Sequence, residues 1–173
     1  MNKRQFLTGA VAAVAGLAGA AWAWQRFRPH DVQGGTVEAL WQHTWEGPEG
    51  QPVVMQTYAG RPLLLNFWAT WCPPCVEEMP LLNTFYQAQR DKGWTVLGLA
   101  VDQPTAVRQF LQRLPVDFPI AMAGLGGTEL SKQLGNTTGA LPFTVVFDAT
   151  GEIAHRKIGQ VKPDDLVAWS QQV

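Results

Sequence analysis

The sequence has little of what marks a metal protein or a nucleic-acid binder. It holds two cysteines and three histidines, His30, His43 and His155, in 173 residues. A structural zinc site takes about four ligands, and no histidine stands at ligand spacing from another. Lysine plus arginine (13) and aspartate plus glutamate (14) nearly cancel, leaving a net charge of −1. No basic stripe or stacking motif appears, so nothing here offers an electrostatic footprint for nucleic acid. Internal repeats and low-complexity tracts are missing too. The glycine-rich stretch Gly124–Gly127 lacks the Lys-Ser/Thr of a phosphate loop and reads as a turn. What remains is an ordinary globular composition, 46% hydrophobic and 16% charged, enough for one domain and an appendage.

Charge is also missing from Phe6 to Trp24, an Ala- and Gly-rich apolar run behind Lys3 and Arg4. As a signal peptide it has a basic start, an apolar centre and small residues, Ala21 and Ala23, at a cleavage site. As an anchor, its length is about 28 Å as a helix, close to the hydrocarbon thickness. Trp22 and Trp24 would then lie at the interface, with Arg26 and Arg28 beyond it. The segment KRQFL also resembles a degenerate twin-arginine export signal. Both readings put the rest of the chain outside the cytoplasm, where a cysteine pair can be oxidised. The expected location is the periplasm, with residues 6–24 holding the protein to the inner membrane; a cleaved, soluble form is the alternative. The expected organisation is a signal peptide or anchor over residues 1–28, a linker over 29–35, and one domain over 36–173.

Within that domain, Thr36 to Trp45 and Val53 to Thr57 read as β-like runs in a hairpin around EGPEGQP. RPLLLNFWA is an uninterrupted apolar run, the pattern of a strand buried on both faces. Val76 to Arg90 reads as a helix, WTVLGLAVD as a second buried strand, and Pro104 opens a helix with Val107, Phe110, Leu111 and Leu114 on one face. A short helix is expected over Thr128 to Leu134, ended by Gly135. FTVVFD and EIAHRKIG pair as a hairpin through ATG, and Pro163 opens the last helix. Strands alternating with helices give an α/β class with a mixed central sheet.

Both cysteines lie in NFWATWCPPCVEEMP, with Pro73 and Pro74 between Cys72 and Cys75. One Cys-x-x-Cys supplies half a zinc site. A staple over two residues closes almost no loop, so it removes little entropy from the unfolded chain. Thiol–disulfide exchange remains, and a Cys-x-x-Cys after a buried strand and at a helix start suits it. There the helix dipole and free N–H groups favour a thiolate on Cys72, which should be exposed. Cys75, one turn on and shielded, would resolve the mixed disulfide that Cys72 forms.

The segment NFWATWCPPC resembles the active-site segment of the TlpA/ResA branch of thioredoxin-like proteins, and the likeness covers Thr36 to Val173. It implies a thioredoxin-like fold with an N-terminal hairpin and a helix-containing central insert, around DQPTAVRQFLQRLPVDFP. TTGALPFTVVFDATGEI resembles the segment carrying the family's cis-proline, which puts Leu141 and Pro142 opposite the disulfide. Trp71, Pro73 and Pro74 fall at the docking surface, and Pro80 matches a proline within the active-site helix. Asn66 stands where thioredoxin has a buried acid. The branch carries a glutamate three residues after the second cysteine, and Glu78 stands there as the implied proton acceptor for Cys75; Glu77 reads as a solvated helix-start acid.

The resemblance implies no cofactor and a membrane-tethered protein that reduces a disulfide in a periplasmic client. The client types are apocytochrome c, in cytochrome c biogenesis, and copper-handling proteins of oxidase assembly. Electrons would come from a membrane thiol donor of the DsbD or CcdA kind. Pro73 and Pro74 lack N–H groups, which deprives a Cys72 thiolate of donors and favours a reductant over an oxidant. Two rivals stand beside this. A peroxiredoxin-like peroxidase would use Thr70, though its proline and arginine are missing. A copper-binding assembly factor would use Cys72, Cys75 and His155, though His155 reads as a lone exposed strand residue.

Overall fold

The structure, a computed structural model, describes residues 35–173. The expected signal or anchor segment, residues 1–28, and all of the expected linker but its last residue lie outside the described residues. Among the described residues no helix is long and apolar enough to cross a membrane.

The apolar run LLLNFW forms the strand Leu63–Trp68 (β3), with all six side chains buried. TVLGLA forms Thr95–Ala100 (β4), parallel to β3 and buried throughout. On its other side β3 pairs antiparallel with Phe143–Phe147 (β6), which pairs antiparallel with Ile153–Ile158 (β7). A strand with both faces covered has no polar side to alternate with, so its sequence is near-continuously apolar.

The N-terminal region departs from expectation. Thr36–Trp41 is a helix (α1), not a β-like run, and only Thr44–Glu46 (β1) is extended. The second run shortens to Pro52–Val54 (β2), followed by a 3-10 turn over Met55–Tyr58. Threonine, valine and tryptophan favour strands only where a pleated surface receives them. Here α1 instead lays Leu40 into the core cluster beneath it. The hairpin itself is present, with Glu46 opposite Pro52.

A short strand that the sequence reading missed, Ile120–Met122 (β5), joins β1 to β4. The mixed seven-stranded sheet runs β2-β1-β5-β4-β3-β6-β7. The remaining helices are Pro73–Gln89 (α2), Pro104–Arg113 (α3), Gly126–Gln133 (α4) and Pro163–Gln172 (α5). Two clusters cover the two faces. Leu63, Leu65 and Phe67 of β3 point into one, with Leu40 and Leu134; Leu64 and Trp68 point into the other, with Met79, Leu82, Phe110 and Trp169. The two-residue period therefore puts Asn66 on the face that α2 covers.

Gly98 of β4, paired with Asn66, is closely surrounded on that face. A Cβ there would lie 2.5 Å from Ile120 Cδ1, 3.1 Å from Trp68 Nε1 and 3.2 Å from Phe118 Cε2. Gly98→Ala should therefore destabilise the fold. Overpacking costs about 1–3 kcal/mol, against the ~0.4–1 kcal/mol that alanine gains by restricting the unfolded chain. Urea denaturation of the two proteins measures the difference.

Candidate active site

Beyond Trp68 the chain turns through Ala69, Thr70 and Trp71 before α2 begins. One carboxylate holds this turn. Asp102 Oδ2 accepts from Thr70 N (2.8 Å) and Thr70 Oγ1 (2.6 Å), while its Oδ1 accepts from Gln103 N (2.7 Å) ahead of α3. Cys72 follows as the N-cap of α2, with φ −104° and ψ 100°, and is joined to Cys75 in a disulfide with Cα atoms 5.3 Å apart.

The first turn of α2 normally offers free amides to whatever stands at its N-cap. Here Pro73 and Pro74 have none to offer. The amides of Cys75 and Val76 both donate to Cys72 O, each at 3.1 Å. The main chain of this turn thus spends its donors on a carbonyl, away from the sulfur.

Exposure differs from expectation at Cys72. The residue is only 5% exposed, whereas neighbouring Trp71 is 65% exposed. The disulfide draws the sulfur of Cys72 toward Cys75, which is wholly buried.

Glu78 stands three residues after Cys75, on the same side of α2, in an apolar stripe with Met79 and Leu82. It is 1% exposed. Asn66 Nδ2 donates to its Oε1 at 2.8 Å, and Val161 N donates to its Oε2 at 2.6 Å. Burial pushes the carboxyl up to about 7, against the opposing pull of those two hydrogen bonds and of Lys157 and Lys162. The loss of hydration disfavours the ionised form more than the donors favour it.

Asn66 also donates from Nδ2 to Thr144 Oγ1 at 3.0 Å, leaving its own Oδ1 buried without a partner among the described residues. That pattern suits an ionised Glu78. Turned over, the same amide presents Oδ1 to a protonated Glu78 and to the Thr144 hydroxyl, both of which can donate. One amide can thus serve both protonation states.

Leu141 and Pro142 enter the site from β6. Phe143 pairs with Phe67, so these two residues reach the sheet end from which Cys72 departs. Their peptide bond is cis. Leu141 packs against the cluster that contains Cys72 and Cys75, and Pro142 O accepts from Gly159 N at 2.8 Å. Pro73 is exposed, Pro74 half-buried and Glu77 exposed, with Gln160 Nε2 3.4 Å from Glu77 Oε2. The sequence-predicted residues thus gather around one end of β3. His155 is half-buried rather than fully exposed, its ring stacked on Trp169 with centroids 5.9 Å apart. The Thr70 hydroxyl, which a peroxidase would direct at peroxide, donates to Asp102.

The redoxin family model matches residues 44–169. The chain belongs to the redoxin family. This redoxin is 31% identical over 127 residues to the thiol-disulfide oxidoreductase ResA of Bacillus cereus, covering 72% of this chain and 70% of the relative. Among solved structures it is similar to a thioredoxin-related protein from Neisseria meningitidis serogroup B, at 32% identity and a TM-score of 0.66, covering 73% of this chain and 96% of that one. A putative thiol:disulfide interchange protein DsbE from Chlorobium tepidum gives 26% identity and a TM-score of 0.65, with 75% and 89% covered. The expected thioredoxin-like α/β fold holds.

Sequence reasoning treated Asn66 only as a missing base and overlooked Thr144, Val161 and Asp102. A lone amide inside LLLNFW was the available signal for Asn66, since a buried polar group needs partners. Val161 acts through its backbone, which no side-chain pattern announces.

The Glu78 carboxyl fixes a pH dependence of stability. Its folded value, about 7, is raised above the ordinary 4.5, so its contribution is complete below pH ~4.5 and is lost as pH rises through ~7. Relative to Glu78→Gln, the oxidised wild-type protein should lose roughly 3 kcal/mol across that window. Denaturation of both proteins from pH 4 to pH 8 measures it, and parallel curves would contradict the raised value.

Proposed function

We propose that this redoxin is a thiol–disulfide oxidoreductase that works as a reductant of disulfides in client proteins, through the Cys72–Cys75 couple. The observation that carries the direction is the first turn of α2, where two prolines supply no amide and the next two amides bond to Cys72 O. A Cys72 thiolate gains little there, and a couple whose reduced form is weakly stabilised has a lower potential.

In the reduced protein the Cys72 thiolate attacks one sulfur of the client disulfide. A bond forms between Cys72 and that sulfur as the client's own S–S bond breaks, releasing a client thiolate. Cys75 then loses its proton to Glu78, its thiolate attacks Cys72, and the second client sulfur leaves with the bonding pair. The client is reduced by two electrons, and Cys72–Cys75 is oxidised to the disulfide. A carboxyl poised near neutrality is suited to exchanging that proton. Leu141 and Pro142 would receive the client segment as an added extended strand, with Trp71, Pro73 and Pro74 bordering the sulfur.

The place of action in this proposal is the periplasm, with residues 6–24 as the anchor. The clients are apocytochrome c or copper-assembly proteins, and a membrane thiol donor of the DsbD or CcdA kind returns the electrons. The support is the apolar N-terminal run and the family likeness.

Two measurements test the reading. Cys75→Ala should leave Cys72 joined to its client as a mixed disulfide, identified by mass spectrometry; a well-folded variant that traps nothing would count against the client-reductase reading. Equilibration with dithiothreitol or glutathione should place the couple among the reducing members of the fold. A value at or above about −150 mV, toward the oxidising end, would overturn the direction.

A further inference from the structure

The segment Gly159–Lys162 is stitched to three parts of the site in turn. Gly159 N donates to Pro142 O at 2.8 Å, Val161 N to Glu78 Oε2 at 2.6 Å, and Lys162 N to Asp165 Oδ2 at 2.7 Å. Gly159 has φ 91°, a conformation that glycine adopts without a Cβ penalty. The far end of the segment is fixed by Asp165, whose Oδ2 also takes Lys157 Nζ at 2.5 Å. Lys157 in turn stands on β7 opposite Thr144, which accepts from Asn66, which donates to Glu78. The carboxyl is therefore enclosed by a ring of contacts that closes through Lys157 and Asp165.

We propose that the Lys157–Asp165 ion pair anchors the Gly159–Lys162 segment so that Val161 N meets Glu78, making both residues positioning residues for proton exchange with Cys75. The inference rests on the reading of Glu78 as the acceptor for Cys75. A surface ion pair is worth little to stability, but this one is three-quarters covered, with side-chain exposures of 29% and 25%. Asp165 is held below the ordinary aspartate range: burial alone would raise it, and Lys157, the Lys162 amide and the Lys162 charge outweigh that. The Asp165 carboxylate is thus ionised through the range in which Glu78 titrates. The other charged and titratable groups around Glu78 are Glu77 on its own helix, Lys162 after β7, His155 on β7 and the cysteines when reduced; β3 and β6 present the neutral Asn66 and Thr144.

Positioning and simple charge predict opposite signs at Asp165. If Lys157 acted by its field alone, removing Asp165 would strengthen that field and ease ionisation of Glu78. If the pair acts by holding Val161, removing either partner costs the carboxylate a donor and makes ionisation harder.

The test is the pH dependence of insulin-disulfide reduction by the full chain, with Lys157→Met, Lys157→Arg and Asp165→Ala, each alone and over Glu78→Gln. A titration of the Glu78 carboxyl by carbon NMR in the same proteins separates site effects from general loosening. Lys157→Met and Asp165→Ala should both move the Glu78-dependent limb to higher pH, by about half a unit or more, and Lys157→Arg should restore it. Over Glu78→Gln, the same substitutions should leave the profile in place. A downward shift in Asp165→Ala, unchanged profiles in both single variants, or equal shifts over Glu78→Gln would each overturn the proposal. If Glu78→Gln itself moved nothing, the acceptor reading would fall and this one with it. Loss of turnover in Cys72→Ser would still uphold the oxidoreductase.

Discussion

A carboxyl group buried in an apolar face is the constraint around which this domain is arranged. Left unpartnered, Glu78 would cost the fold several kcal/mol if ionised. An amide from β3 and a backbone N–H from the turn before α5 offset only part of that cost, and the carboxyl stays raised to about 7. These two partners are 95 residues apart in the chain, at Asn66 and Val161. Supplying both requires β3, β6 and β7 in register and α2 laid across them. The hydrogen bonds at one carboxyl therefore draw on most of the sheet's C-terminal half, and the active-site helix cannot shift without disturbing them.

The two chemical demands of the site are met by separate parts of α2. At its first turn, the prolines and the doubly occupied Cys72 carbonyl determine how well a sulfur anion is received. One turn further, burial determines the proton affinity of Glu78. One is a matter of main-chain donors and the other of hydration. Asp102 adds a third independent element, fixing the turn before Cys72 from the end of β4.

Much of this was legible in the sequence where a single physical signal dominated. LLLNFW and TVLGLA are uninterrupted apolar runs, and nothing but a strand covered on both faces suits them at that length. The CPPC segment marked the redox couple by itself, whereas the importance of Glu78 came from a family likeness. TVEALW misled because its β-branched and aromatic residues favour strands, yet packing of Leu40 beneath a short helix decided the outcome. β5 escaped notice because three residues carry too little periodicity to register. Lys157 and Asp165 are eight residues apart, on a strand and a helix, and neither element's pattern names the other.

The slight exposure of Cys72 bears on the proposed function in a way that its potential does not. Reduction potentials state which way electrons run at equilibrium, but they are silent on which partners are allowed to deliver them. Cys72 is 5% exposed beside a largely uncovered indole. A macromolecule that packs against Trp71 can bring its own sulfur to Cys72 and hold it there. In the function proposed above, the surface around Trp71 would bear on which disulfides meet the couple, alongside its potential.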